Sequence, residues 1–277
     1  MPEILVYVNG AYVPWSEATI PVEDRAMQFG DSVYEVIRYY HGAPFRLQQH
    51  FDRMARSAEG IFLPPPPLDE IKKAMDGLIE RQGLRDASVY VQVTRGVGPR
   101  SHSLPADLKP TVIAIARPAP IVRPRLPMTV ITVSDDRWAR CYLKTTMLLP
   151  NTLAKERARR RGADDAIFVR DGFVTEATAS NVFLVAGGRL LTPPLTNYIL
   201  AGITRGVVLE LAEQEGIPHA EVPVPADLLW QADEVMLSGT LSEVTPITAV
   251  DGRQVGTGQP GPVFQKLAAA FDRLIGV

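Results

Sequence analysis

The chain has 277 residues, 46% of them hydrophobic, and a formal net charge of −2. That is enough apolar material for one large or two medium domains, and the near-balance of charge leaves no dominant basic footprint for nucleic acid. No apolar run reaches the roughly 18 residues of a membrane span, the start "MPEILVYVNGAYVPW" lacks the pattern of a signal peptide, and the single cysteine, Cys141, excludes an intrachain disulfide and fits a cytoplasmic protein.

In chain order, alternating or continuously apolar runs predict strands at "ILVYVNG", "SVYEVIRYY", "SVYVQVTRG", "TVIAIA", "MTVITVS", "DAIFVRDG", "NVFLVAGG", "RLLT" and "DEVMLSG". Helical spacing predicts helices over 47–60, 68–82, 151–161, 203–215 and 262–275, the second opening after the four prolines 64–67. Gly162 and Gly216 serve as C-terminal stops. The stretch 117–127, "RPAPIVRPRLP", is too rich in proline for a ladder or a helix interior. It reads as a linker (118–127) between an N-terminal α+β domain, 1–117, and a larger C-terminal one, 128–277. Ligand sites favour clefts between domains.

Four segments could carry chemistry. "RCYLKTTMLL" (140–149) places Lys144, one of only six lysines, among apolar neighbours. Desolvation lowers the pKa of an amine and makes it a Schiff-base candidate; a strand-end lysine snorkelling to water has the same local sequence. "DGFVTEATASNVFLV" (171–185) reads as strand, polar crossing, strand, with Glu176 among small and hydroxyl side chains. A carboxylate there could hold a protonated pyridine nitrogen. "LAGITRGVVLELAEQEG" (200–216) opens a helix directly after Gly202, so the free N–H groups of Ile203 and Thr204 suit a phosphate, with Thr240 of "LSGTLSE" as a further donor. "TRGVGPRSH" (94–102) presents Arg100 and His102 two residues apart; in an extended loop both project to one side, an arrangement suited to a carboxylate.

The charged "DDRWAR" and "KERARRRG" read as solvated faces. No G-x-S-x-G elbow, P-loop or zinc-type His/Cys pairing occurs, so no metal site is expected. If 140–144 is a strand, Cys141 faces away from Lys144.

Taken together, "EDRAMQFGDSVYEVIR", "HFDRMARSAEGI", "QVTRGVGPRSH", "RWARCYLKTTMLLPNTLAKERA", "VTEATASNVF" and "ILAGITRGVV" resemble the class IV aminotransferases of pyridoxal phosphate (PLP) fold type IV, and within them the D-amino-acid branch. The resemblance spans nearly the whole chain. It implies a two-domain α+β fold with mixed sheets, flanking helices and the cofactor in the interdomain cleft. It also implies a ping-pong transamination from a D-amino acid of the D-alanine type to a 2-oxo acid of the 2-oxoglutarate type. By position it implies that Lys144 forms the internal aldimine and shuttles the proton. Glu176 would pair with the pyridine nitrogen, Leu200 would pack on the ring, and Arg53, Ser180, Ile203, Thr204 and Thr240 would hold the cofactor. Tyr34, Val36, Arg100 and His102 would bind the substrate. In that family Arg100 and His102 reach the partner's site, which implies a homodimer. Branched-chain L-amino-acid and (R)-amine aminotransferases share the scaffold and form the alternative reading; a scaffold that had lost its chemistry would have no need of Lys144 and Glu176. Ala179, Gly239 and Leu241 depart from the more hydroxyl-rich branch pattern.

Overall fold

A computed structural model describes residues 4–277. The chain divides into two compact units, Met1–Ile121 with Leu143–Met147, and Val122–Tyr142 with Leu148–Val277. The five-residue segment around Lys144 therefore belongs with the N-terminal unit.

The first unit is built on six strands: β1 (Leu5–Val8), β2 (Ala11–Pro14), β3 (Ser32–Tyr40), β4 (Ala43–Pro44), β5 (Ala87–Thr94) and β6 (Val112–Pro118). Their order is β2-β1-β6-β5-β3-β4, and every pairing is antiparallel. Alternation sorts β3 into two rows. Val33, Ile37 and Tyr39 sit opposite Val93, Val89 and Ala87 of β5 and belong to one buried core. Helices α2 (Leu47–Gly60) and α3 (Leu68–Arg81) fill that core with Phe51, Met54, Ile71, Met75 and Leu78. Glu35 falls in the same inward row. Tyr34 and Val36 lie on the other face, opposite Gln92 and Tyr90. Asp69 and Glu70 open α3 and Arg81 ends it, matching the helix dipole.

A short helix, α1 (Arg25–Phe29), has no apolar period of its own and is absent from the sequence-based expectation. Tertiary polar contacts make it. Asp24 caps it, accepting from Ala26 N–H at 2.9 Å and from the hydroxyls of Thr94 and Thr111 at 2.9 and 2.7 Å. Gly30, at φ +64, ends it.

The second unit contains β7 (Met128–Ser134), α4 (Leu149–Arg160), β8 (Asp165–Arg170), β9 (Phe173–Ala177), β10 (Asn181–Ala186), β11 (Arg189–Thr192) and α5 (Ile203–Gln214). It continues with β12 (His219–Glu221), β13 (Glu234–Gly239), β14 (Glu243–Val250), β15 (Arg253–Gln254) and α6 (Pro262–Ile275). The mixed sheet runs β12-β11-β10-β13-β14-β7-β8-β9, with β15 beside β14. Its core gathers Ile167, Val182, Leu184, Val235, Leu237 and Val250. α4 turns only Ala154 and Ala158 inward, onto Phe168 and Ile131. Strand β14 escapes the pattern reading because Pro246 lies inside it.

The proline-rich stretch is pinned within the second unit from Val122 onward. Arg123 donates to Asp272 at 2.9 and 2.6 Å, and Arg125 donates to Glu243 at 3.1 and 2.8 Å and to Asp272 at 3.2 and 2.6 Å.

Gly96, at φ +108, follows β5 where a Cβ would lie 2.1 Å from the Lys109 carbonyl oxygen. Backbone on one side and a left-handed dihedral on the other leave no inexpensive relaxation. Gly96→Ala is expected to cost about 2–3 kcal/mol, read as a lowered urea midpoint with an unchanged slope.

Candidate active site

Lys144 does not lie in a strand. Residues 139–143 form turns, and 144–146 then run beside the free start of β3. The alternation argument placing Cys141 opposite Lys144 therefore does not apply. Tyr34 N–H donates to the Lys144 carbonyl at 3.0 Å, Lys144 N–H donates to Ser57 Oγ at 3.0 Å, and Ser32 Oγ meets Thr146 Oγ1 at 2.6 Å. The lysine backbone is thus tied to β3 and α2. Its Nζ sits 4.3 Å from the Tyr34 ring centroid, on the ring face. Gly60 makes room for this segment, since a Cβ there would lie 2.4 Å from Leu143 Cδ2.

Arg53 projects from α2 onto Glu35, a side chain with no solvent exposure. Arg53 Nε donates to one carboxylate oxygen at 2.7 Å and Nη2 to the other at 2.8 Å. His50, one turn earlier, lies 2.7 Å from the same carboxylate through Nδ1. Burial disfavours the Glu35 anion, but the charge and fork of Arg53, the His50 hydrogen bond and the charge of Lys144 outweigh it and lower its pKa to about 2. Burial lowers the His50 pKa, with Glu35 opposing. A neutral imidazole beside an ionised carboxylate must donate from Nδ1.

The loop pair also converges. Arg100 stacks on Phe29, 5.2 Å from its centroid, and His102 meets that ring edge-on at 5.7 Å. Tyr34 stacks on Tyr90 at 5.5 Å, and Val36 is half-buried two residues along the same face.

In the second unit Glu176, at the end of β9, is buried and fully engaged. Arg137 donates to its Oε1, and Oε2 accepts from Leu200 N–H at 3.0 Å and Asn181 Nδ2 at 3.3 Å. Both oxygens act as acceptors, the pattern of an ionised carboxylate. Arg137 also donates to Asp135 at 2.9 and 2.8 Å, to Thr175 Oγ1 at 3.3 Å and to the Tyr198 carbonyl at 2.9 Å, and it lies over Phe168. Asp135 receives a further cation, Arg170, at 3.3 Å. Asp135 and Arg137 are both 6% exposed. The expectation that "DDRWAR" is a solvated face is therefore wrong for these two residues, which form the buried support of Glu176.

Asn181 links Glu176 to α5. A Cβ at Gly202 would lie 2.0 Å from Asn181 Oδ1, so the helix opening can approach this amide only through glycine. Ile203 and Thr204 follow as the first helical residues, and Gly202 provides no side-chain cap. Their N–H groups lie in the first turn, where no intrahelical acceptor exists. A Cβ at Gly239 would lie 2.8 Å from Ser242 Oγ and 2.9 Å from Ser180 Oγ. The hydroxyl absent from position 239 is thus offset by two neighbouring serines, and Thr240 follows half-buried. Leu241 is 59% exposed.

Cys141 is half-buried, and its thiol donates to the Trp138 carbonyl at 3.1 Å. Burial, followed by Glu176 and Asp135 against Arg137 and Arg170, pushes its pKa up to about 11. Among the described residues no cluster of three or more His, Cys, Asp or Glu could hold a metal, and no helix is long and apolar enough to cross a membrane.

The sequence singles out Lys144, Glu176 and Arg53 as candidates but not the buried residues that contact them or support them: Glu35, His50, Asp135, Arg137 and Asn181. Glu35 does leave a signal: a charge between Val33 and Ile37 in the inward row of a strand needs a buried partner. Arg137 leaves none.

The chain belongs to the amino-transferase class IV family, which it matches over residues 32–250. It is 40% identical to the D-alanine aminotransferase of Staphylococcus haemolyticus over 274 residues, covering 98% of this chain and 97% of that one. It is 42% identical to the D-alanine aminotransferase of Listeria monocytogenes 10403S, covering 96% and 94%. Among solved structures, the branched-chain amino acid aminotransferase from Escherichia coli superposes with a TM-score of 0.91 at 32% identity, covering 99% and 94%. The branched-chain aminotransferase from Thermoproteus uzoniensis, solved with norvaline, gives 0.88 at 32%, covering 99% and 95%. The fold is that of the type IV aminotransferases.

Two outcomes test the buried charges. Glu35 has a folded pKa below its ordinary value of 4.5, so its contribution is complete above about pH 4.5 and fades as pH falls towards about 2. Glu35→Gln should cost about 3 kcal/mol at pH 7, with the gap to the parent closing across that window in urea titrations at stepped pH. Arg137→Met should cost roughly 3–5 kcal/mol, because two buried carboxylates lose one shared cation. Arg137→Lys should recover only part of it, lacking the fork.

Proposed function

We propose that the chain is a PLP-dependent transaminase that moves an amino group from a D-amino acid of the D-alanine type to a 2-oxo acid of the 2-oxoglutarate type. The observation that carries the substrate class is the 38–42% identity to D-alanine aminotransferases along nearly the whole chain. The Arg100–His102 pair agrees with it.

The donor set fits the cofactor. Glu176 is held as an acceptor on both oxygens by Arg137, Asn181 and the Leu200 amide. The α5 opening and the Ser180, Ser242 and Thr240 hydroxyls suit a phosphate dianion. When bound, PLP supplies an aldehyde that condenses with amines and a pyridinium ring that accepts the electron pair from the substrate α-carbon. Lys144 would bind the cofactor through its amine and serve as the base that takes the substrate α-proton and the acid that delivers it to the cofactor's C4′ carbon. Glu176 would keep the proton on the ring nitrogen. Arg53, Ser180, Ile203, Thr204 and Thr240 would hold the phosphate, and Leu200 would pack on the ring. Tyr34, Arg100 and His102 bind the α-carboxylate, with Val36 lining the substrate. Anchoring the anion on one side of Lys144 decides which enantiomer presents its α-hydrogen to the amine, and chirality follows. An amine without a carboxylate would leave the cationic clamp unpaired, a cost of about 1–3 kcal/mol.

In this reading the protein is a cytoplasmic homodimer in which Arg100 and His102 serve the partner's site. Half-reactions of the PLP form with D-alanine, L-leucine and (R)-1-phenylethylamine test the substrate class. D-Alanine is expected to bleach the cofactor band fastest. A fast change with L-leucine and none with D-alanine would transfer the assignment to the branched-chain branch. Borohydride trapping should label Lys144, and Lys144→Ala should abolish both labelling and turnover.

A further inference from the structure

Arg100 and His102 lie in the loop after β5, and both are exposed. A loop arginine has many rotamers of similar energy, so something must select one if it is to meet an anion in register. Phe29 supplies an aromatic ring that meets both side chains. The Arg100 guanidinium lies over Phe29 and the His102 imidazole meets its edge, at an interplanar angle of 61°. A cation over a ring face is attracted by the ring quadrupole, and the contact uses none of the guanidinium's N–H donors.

Phe29 is itself held firmly. It is the last residue of α1, which is capped by Asp24 and closed by Gly30. Arg25, one turn earlier, lies 4.6 Å from the same ring centroid. Its Nη1 donates at 2.8 Å to the carbonyl of Ser101, the residue between Arg100 and His102. Arg25 is 2% exposed and bonded through Nε to Asp31 at 2.8 Å, which also takes the fork of Arg95 at 2.8 and 3.0 Å. Backbone and both side chains of the loop pair are therefore referred to one buried frame.

We propose that Phe29 is a positioning residue that sets the geometry of the Arg100–His102 pair, and through it the preference for substrates bearing an α-carboxylate. Arg25 anchors the intervening peptide. This inference rests on the proposed role of the pair in binding that carboxylate.

The test uses the PLP-loaded enzyme and propionate, which has the carboxylate but no amine. Propionate binding is followed by calorimetry, and KM and kcat are measured with D-alanine. Phe29→Ala should weaken propionate binding and raise KM by about 3–10-fold, with kcat changing less and PLP content kept. Phe29→Tyr, which keeps the ring, should restore both. Phe29→Leu replaces the alanine variant if that one fails to fold, with the same expectation. Arg100→Ala is the internal control. If it loses propionate while the Phe29 variants bind like the parent, the positioning role is overturned and the carboxylate assignment stands. If Arg100→Ala binds propionate as the parent does, the carboxylate assignment falls and takes this inference with it. Equal losses in kcat, KM and PLP content for Phe29→Ala would mark a general packing role and overturn the proposal.

Discussion

Arg137 reaches Glu176 with one arm and Asp135 with the others, and all three groups are out of water. An unpaired buried carboxylate would be costly, so the guanidinium is a condition for having Glu176 there at all. It also decides direction. One carboxylate oxygen is assigned to Arg137 and the other to Asn181 and the Leu200 amide. Asn181 in turn donates to the Leu200 carbonyl at 2.9 Å and lies against Gly202, so the position of the acid and the opening of α5 are fixed together. The buried acid and the opening of α5 in the second unit share one amide.

The first unit applies the same logic with the signs exchanged. There the acid, Glu35, is the support, and the cation, Arg53, is the group proposed to meet the cofactor. Its two-bond fork onto Glu35 orients the guanidinium and neutralises it, so that what Arg53 provides is direction more than surplus charge. His50 completes the carboxylate's acceptors as a neutral donor. Lys144, tied by its backbone to Tyr34 and Ser57, belongs to the same buried frame.

What is legible in the sequence follows from which forces act locally. Helices α2, α3, α5 and α6 announce themselves by apolar period and lie within a residue of their expected ends, because packing on one face dictates both period and length. Helix α4 begins two residues early, at Leu149, where Pro150 sits in the first turn. Helix α1 and strand β14 are illegible. One is held by distant hydroxyls and arginines, and the other carries a proline that argues against a strand. The candidate site divides in the same way. Lys144, Arg53 and Glu176 stand in wording that resembles a family, whereas Arg137 looks like any surface arginine until Asp135 and Glu176 are brought to it from 2 and 39 positions away.

The turn between β13 and β14 has a bearing on attempts to retune this scaffold. A β-carbon at position 239 would meet two serine hydroxyls that would have to rotate aside, whereas the side chain of Leu241 stands mostly in solvent. A designer wishing to graft an extra hydroxyl onto this hairpin would find the first address crowded by hydroxyls and the second vacant. Sequence drift in the hairpin should be similarly lopsided, more constrained at the first residue than two residues on.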